Sequence, residues 1–223
     1  VLDRFGITTN LRGRLHVVAE ITEAMGTAKL AVKVRQLRGS PISQPVDLDL
    51  TAAIDDRATT GTLVATSNNV KLLEVAGKLP LTITQLEANP RGALDTPIQA
   101  TATLPNVSAP HMLGVFGRAE IIAGTLCGTI DVAGTLGKPT VRARLAGTNL
   151  EVPPGPRGKP VKTVKRVALD ATWDGTSGTI ELDATQDDGM LHVVAKGRPD
   201  ALADATLTVE AKKFDLVPLL AFA

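Results

Sequence analysis

Apolar and polar residues alternate along most of the chain. Between Gly124 and Val152, Leu126, Gly128, Ile130 and Val132 share one parity, while Thr129 and Asp131 take the other. After a turn at Gly137, Lys138 and Pro139, Val141, Ala143 and Leu145 alternate with Arg142 and Arg144. A period of two puts successive side chains on opposite faces of a β-strand, so this unit predicts two strands, each with one oily and one charged face. The pattern recurs. Leu15, Val17, Ala19 and Ile21 stand against Arg14, His16 and Glu20; Leu30, Val32 and Val34 against Lys29, Lys33 and Arg35; Val46, Leu48, Leu50, Ala52 and Ile54 against Asp47, Asp49, Thr51 and Asp55. Further strands are expected at 61–66, 70–83 with an interruption at Gly77, 98–104, 167–173, 178–185, 191–196 and 205–211. Loops are expected at 85–96 and 153–162.

One segment breaks the period of two. Ser108 has the chemistry of an N-cap, Pro110 falls in a first turn where its missing N–H does no harm, and 109–123 is apolar at helical spacing until Gly124. A short helix is predicted there, with Met112, Leu113, Val115, Phe116, Ile121 and Ile122 buried as a plug. A membrane-surface role is disfavoured because the helix lacks a basic face.

Sliding the chain by 107 residues lays Val107, Ser108 and Ala109 on Phe214, Asp215 and Leu216. LDLTAAIDD from Leu48 is similar to LDATWDG from Leu169, and GTLVATSNN from Gly61 to GTIELDATQDD from Gly178. The chain reads as two copies of one multi-stranded unit, 1–106 and 107–213, with 214–223 opening the helix of a third, all within one continuous elongated domain. Tandem immunoglobulin-like sandwiches are the weaker reading, since a mid-repeat helix is foreign to them.

Composition narrows the chemistry. The 223 residues carry a net charge of +1, four Phe, one Trp and no Tyr, which argues against a nucleic-acid partner and against aromatic stacking platforms. Cys127 is the single cysteine, so neither an intrachain disulfide nor a cysteine zinc cage can be built. No run of about eighteen apolar residues is present. The lack of an initiator Met and the break-off within 216–223 suggest a piece of a longer protein.

The phrases GTIDVAGTLGKPTVRARLAGTNLEV, SAPHMLGVFGRAEIIAGTL and FDLVPLLAF resemble the recurring pattern of the TamB family of translocation and assembly module subunits, within the wider AsmA-like envelope proteins. The resemblance covers most of the chain. It implies a mainly all-β fold, a long antiparallel-type sheet curled lengthwise into an open apolar trough, the β-taco, with one short helix near 109–123. It also implies a periplasmic location, inner-membrane anchoring of the full-length protein, a BamA-like outer-membrane partner, and roles in autotransporter assembly and phospholipid transport.

The residues lead to a related expectation by a separate route. About twelve strands at 4.8 Å spacing make a sheet on the order of 60 Å long, and one helix cannot cover its oily face. That face must close on itself, meet a partner or hold something apolar, because exposed aliphatic surface is unfavourable by roughly 25 cal/mol per Å². An ordinary closed core is the plain alternative. If the face is open, phospholipid acyl chains fit its featureless lining. The groove residues expected to hold them are Leu15, Val17, Val32, Leu48, Leu50, Ile130, Val132, Val141, Leu169, Ile180, Leu182, Val193, Leu207 and Val209. A second hypothesis makes exposed strand edges templates for client β-strands, and a third is a structural repeat sandwich.

Other chemistry is weak. His16 and His192 fall on outward parities and His111 in the helix's first turn, none with a partner visible in the sequence. Asp47 and Asp49 share a face without the spacing of a Ca²⁺ loop. Arg157, Lys159, Lys162, Lys165 and Arg166 form a basic patch, read first as a solvated loop and second as a contact for anionic headgroups. Gly134 to Thr140 lacks the glycine spacing of a phosphate loop, and no catalytic motif is present. The chain is expected not to be an enzyme and to need no metal or other cofactor.

Overall fold

The computed structural model describes residues 11–22, 27–82, 92–118, 121–152 and 162–215. Twelve strands follow one another in a single meander: β1 (Arg12–Thr22), β2 (Thr27–Gly39), β3 (Ile42–Ile54), β4 (Thr59–Ser67), β5 (Val70–Leu79), β6 (Gln99–Ser108), β7 (Ala123–Gly134), β8 (Pro139–Val152), β9 (Lys162–Trp173), β10 (Gly178–Gln186), β11 (Gly189–Gly197) and β12 (Thr206–Lys212). Each pairs antiparallel with its sequence neighbours. Among the described residues β1 and β12 each have one partner, and the sheet is not closed into a barrel. Among the described residues the fold is mainly β with one short α-helix, as expected from the sequence.

Register carries the alternation across the sheet. Val17, Val32, Leu50, Leu63, Val75, Ala102, Ile130, Ala143, Ala171, Ile180, Ala195 and Leu207 are successive cross-strand partners, one from each strand. Every member of this row is apolar. One step along the strands, Lys33, Asp49, Glu74, Thr103, Thr129, Arg144, Asp170 and Glu181 mark the opposite face. A one-residue slip would reverse every side chain, so an aliphatic face this continuous fixes the register of all twelve strands.

The helix α1 (Ala109–Val115) follows β6 directly. It is half the predicted length. Gly117, at φ +71°, provides a left-handed residue just past the helix. The Gly117 N–H donates to the Gly114 carbonyl at 3.0 Å and the Arg118 N–H to that of Leu113 at 3.0 Å, the Schellman pattern that ends a helix. Phe116 and Ile122, expected to be buried, are therefore exposed, whereas Ile121 is buried on the extended lead into β7. Ser108 occupies the N-cap position without a side-chain capping bond.

Two flanks of α1 meet different strands. Met112 and Val115 pack with Val46, Ala65 and Leu72 of β3–β5, while Ala109 and Leu113 pack into the cluster of Ile121, Leu150, Val164, Ala184 and Leu191. At about 100° per residue these flanks are separated by about 110° around the helix axis. A flat sheet meets one stripe of a helix; this sheet meets two, and so curls around α1.

Corresponding turns repeat. Asp55 accepts from the N–H groups of Arg57 and Ala58, and Asp174 from those of Thr176 and Ser177. The next hairpins turn at Asn68 and Asn69, both at positive φ, and at Asp187 and Asp188, where Asp187 has φ +39°. Buried Ala65, Ser67 and Leu72 in one unit match buried Ala184, Gln186 and Leu191 in the other. β5 runs through Gly77 without the expected interruption, and β6 and β9 extend beyond the expected 98–104 and 167–173. The expected loops at 85–96 and 153–162 fall largely outside the described residues, as does most of the third unit's helix expected at 214–223; within the first loop, Gly92–Asp95 forms a 3-10 turn.

Candidate functional site: an apolar groove

The aliphatic face is closed at one end and open along the rest. At the closed end α1 covers the tips of β3–β5 and β7–β11, and Val46, Leu72, Val107, Val115, Ile121, Leu150, Val164 and Leu191 are buried there. The polar groups at this end are satisfied. Ser67 Oγ donates to the Pro45 carbonyl at 2.9 Å, His111 Nε2 lies 3.2 Å from the Ser67 carbonyl oxygen, and Gln186 Oε1 accepts from the Asp215 N–H at 3.0 Å. His111, read from the sequence as a surface residue, is instead a partly buried link between α1 and β4.

All fourteen groove candidates fall on this one face. Val17, Val32, Leu50, Ile130, Ile180 and Leu207 belong to the row that crosses every strand, and the register sets Leu15 beside Val34 and Leu48, Val132 beside Val141, and Leu169, Leu182, Val193 and Val209 in another continuous line. None of them is buried. Ile180, in an interior strand, is 50 % exposed, and Leu15 and Leu207, on the two edge strands, are 67 % and 68 % exposed. A closed core would leave none of these side chains in water. Scattered exposed leucines are ordinary, but a contiguous apolar strip across a sheet is a surface that awaits an apolar occupant.

Where the open face meets the plug, a pocket of about 370 Å³ is lined by Leu104, Leu126, Leu145, Leu150, Leu169 and Leu182 together with Cys127, Ala146, Gly147 and Val167. Its size is at the lower end of the range of roughly 300–1,000 Å³ typical of ligand pockets. Leu169 and Leu182 are among the fourteen; Leu104, Leu126, Leu145, Leu150 and Val167 are not. Four of these five share the inward parity and were legible in the alternation. Leu150 was not, because it follows Asn149, whose φ of +50° upsets the simple alternation.

The opposite face is mainly polar, with Val64 and Val194 as apolar members, and several of its charges are paired. Arg35 makes two hydrogen bonds to the Asp49 carboxylate, at 2.7 and 3.1 Å, and these hold the Asp49 carboxyl below the usual carboxylate range. Asp47 caps the β2 bulge by accepting from the Gln36 N–H at 2.7 Å. Both aspartates thus have structural duties in place of a shared cation. Arg142 and Arg144 flank Asp170 at 3.8 and 3.7 Å. In the basic patch, Lys165 pairs with Asp187 at 3.2 Å; Arg157 and Lys159 lie outside the described residues. The segment from Gly134 to Thr140 is a β-hairpin turn, closed by hydrogen bonds between Thr135 and Lys138.

Fold and groove together define an open β-trough, curled about a helical plug and lined with aliphatic side chains. No protein-family model, curated protein or solved structure matches the chain.

Proposed function

We propose that this chain is a segment of a periplasmic lipid conduit, whose groove holds phospholipid acyl chains in passage between inner and outer membranes. The reading rests on one observation: an unbroken apolar row crosses all twelve strands and stays accessible away from the plug. Such a lining binds hydrocarbon through burial alone, at roughly 25 cal/mol per Å², and needs no polar anchor along the way. The resemblance to TamB-like and AsmA-like envelope proteins agrees with this reading. It supplies the inner-membrane anchor, the BamA-like partner and the link to outer-membrane assembly as parts of the proposal. In this role the chain is a passive binder and not an enzyme.

Site-specific photo-crosslinking tests the reading. A photoreactive residue at Leu50, on the apolar face, should capture phospholipid in diderm cells, whereas the same residue at Thr62, on the polar face, should not. Equal labelling at both positions, or none at Leu50, would contradict it.

A second reading has its own observation. Among the described residues β1 and β12 have no outer partner strand, so a client β-strand has two places to add. Proline at Val209, in β12, should then weaken binding of extended peptides, and unchanged binding would count against this reading.

A further inference from the structure

The polar face carries one cluster that its ion-pair pattern leaves without a permanent cation. Asp183 of β10 and His192 of β11 are direct cross-strand partners, Glu181 lies two residues along β10 on the same face, and Glu210 of β12 stands opposite His192. His192 Nδ1 is 2.8 Å from Asp183 Oδ1 and 4.0 Å from Glu181 Oε1. One ligand atom from each of the three residues lies within 4.8 Å of the others.

Elsewhere on this face the carboxylates of Asp49 and Asp170 are matched by arginines. Among the described residues no lysine or arginine pairs with Glu181 or Asp183, whose ionic neighbour is His192. The feature also belongs to one unit alone. At the turn-matched positions of β4 in the first unit stand Thr62 and Val64, and the cross-strand partner of Val64 is Glu74, so the fold's repeat does not impose it.

We propose that Glu181, Asp183 and His192 form a binding site for a divalent transition-metal ion of the zinc type, with Glu210 or water completing the shell. Ligands about 2.0–2.2 Å from a tetrahedral zinc stand roughly 3.3–3.6 Å from one another. The present separations of 2.8 and 4.0 Å bracket that value, so side-chain rotation suffices and the strands need not move. One imidazole with two carboxylates suits zinc and its neighbours better than Ca²⁺ or Mg²⁺, which favour all-oxygen shells. In the metal-free chain the Nδ1–H donates to Asp183; metal binding replaces that proton, which leaves to solvent. Ligands from β10 and β11, and from β12 where Glu210 joins, would tie the sheet's last strands together beside its open edge.

Calorimetric titration of the chelator-treated 223-residue chain with zinc chloride tests the site. One saturable event is expected, weakened at least about tenfold by His192→Ala or Asp183→Asn and unchanged by His16→Ala. Zinc should raise the melting temperature of the parent and not of His192→Ala. Zinc-induced shifts of the His192 ring resonances in the parent chain give a readout that needs no variant. Absence of saturable binding up to about 1 mM zinc, unmoved His192 resonances, or equal affinity for calcium would overturn the proposal and leave the cluster an ion pair only.

Discussion

Two large-to-small substitutions on neighbouring strands distinguish an open groove from a closed core. Leu191, on β11 beneath the plug, is 3 % exposed, whereas Ile180, on β10 and the same face, is 50 % exposed. Leu191→Ala removes three carbons from a packed site. At about 0.8 kcal/mol per buried CH₂ the transfer loss is about 2.4 kcal/mol, and the cavity left behind raises the cost to about 3–4 kcal/mol. Ile180→Ala removes the same number of carbons from a side chain already half in water. Its cross-strand partners are Ala171 and Ala195, too small to enclose it, so the cost should be about 1.2 kcal/mol with no cavity term. Urea unfolding followed by the fluorescence of Trp173, the single tryptophan, should separate the two variants by about 2 kcal/mol at unchanged m-value. Costs within about 0.5 kcal/mol of each other would mean that Ile180 is as well covered as Leu191, and the open groove would be refuted.

Other consequences follow from particular contacts. A methyl group at Gly128 would press on the Arg144 carbonyl oxygen and lie 2.5 Å from Leu145 Cδ2, so Gly128→Ala should destabilise the chain by about 1–3 kcal/mol in the same unfolding assay. The Asp174 carboxylate accepts from the N–H and hydroxyl groups of both Thr176 and Ser177, and the backbone N–H bonds, chiefly that of Ser177, hold its carboxyl below the usual range. Because the folded-state value is lowered, this stability is present above the ordinary value near pH 4 and is lost as pH falls below it; Asp174→Ala should melt lower at pH 7 and lose less on acidification to about pH 3. The hydrogen bond to Asp183 raises His192 above its ordinary value. Its contribution is therefore full below about pH 6.5 and disappears as pH rises through the folded value, and Asp183→Asn should lower the His192 midpoint in an NMR titration.

Much of the fold was legible because a buried or half-buried face imposes a period of two on most of the chain. Leu48 to Ile54 and Leu126 to Val132 each declare their inward side, and all fourteen groove candidates fall on it. Backbone geometry that a side-chain pattern does not encode was less legible. Gly117 ends α1 through a positive φ, so a helical apolar spacing continued on paper past the point where the backbone turned. Asn149 upsets the alternation before Leu150, and the register shift at Ala65 and Thr66 brings Leu72 into the core beside Leu73. The Asp183–His192 pair depends on which residues face each other across β10 and β11, which neither strand's own sequence states.

Mass spectrometry of an organic extract of the chain, purified without detergent from a diderm bacterium, tests the central claim most directly. The account predicts near-stoichiometric phospholipid, absent from a control protein of similar size and strongly reduced in a folded Ile180→Asp variant. A lipid-free, monomeric chain that binds no apolar dye would contradict it and show the aliphatic face to be closed upon itself.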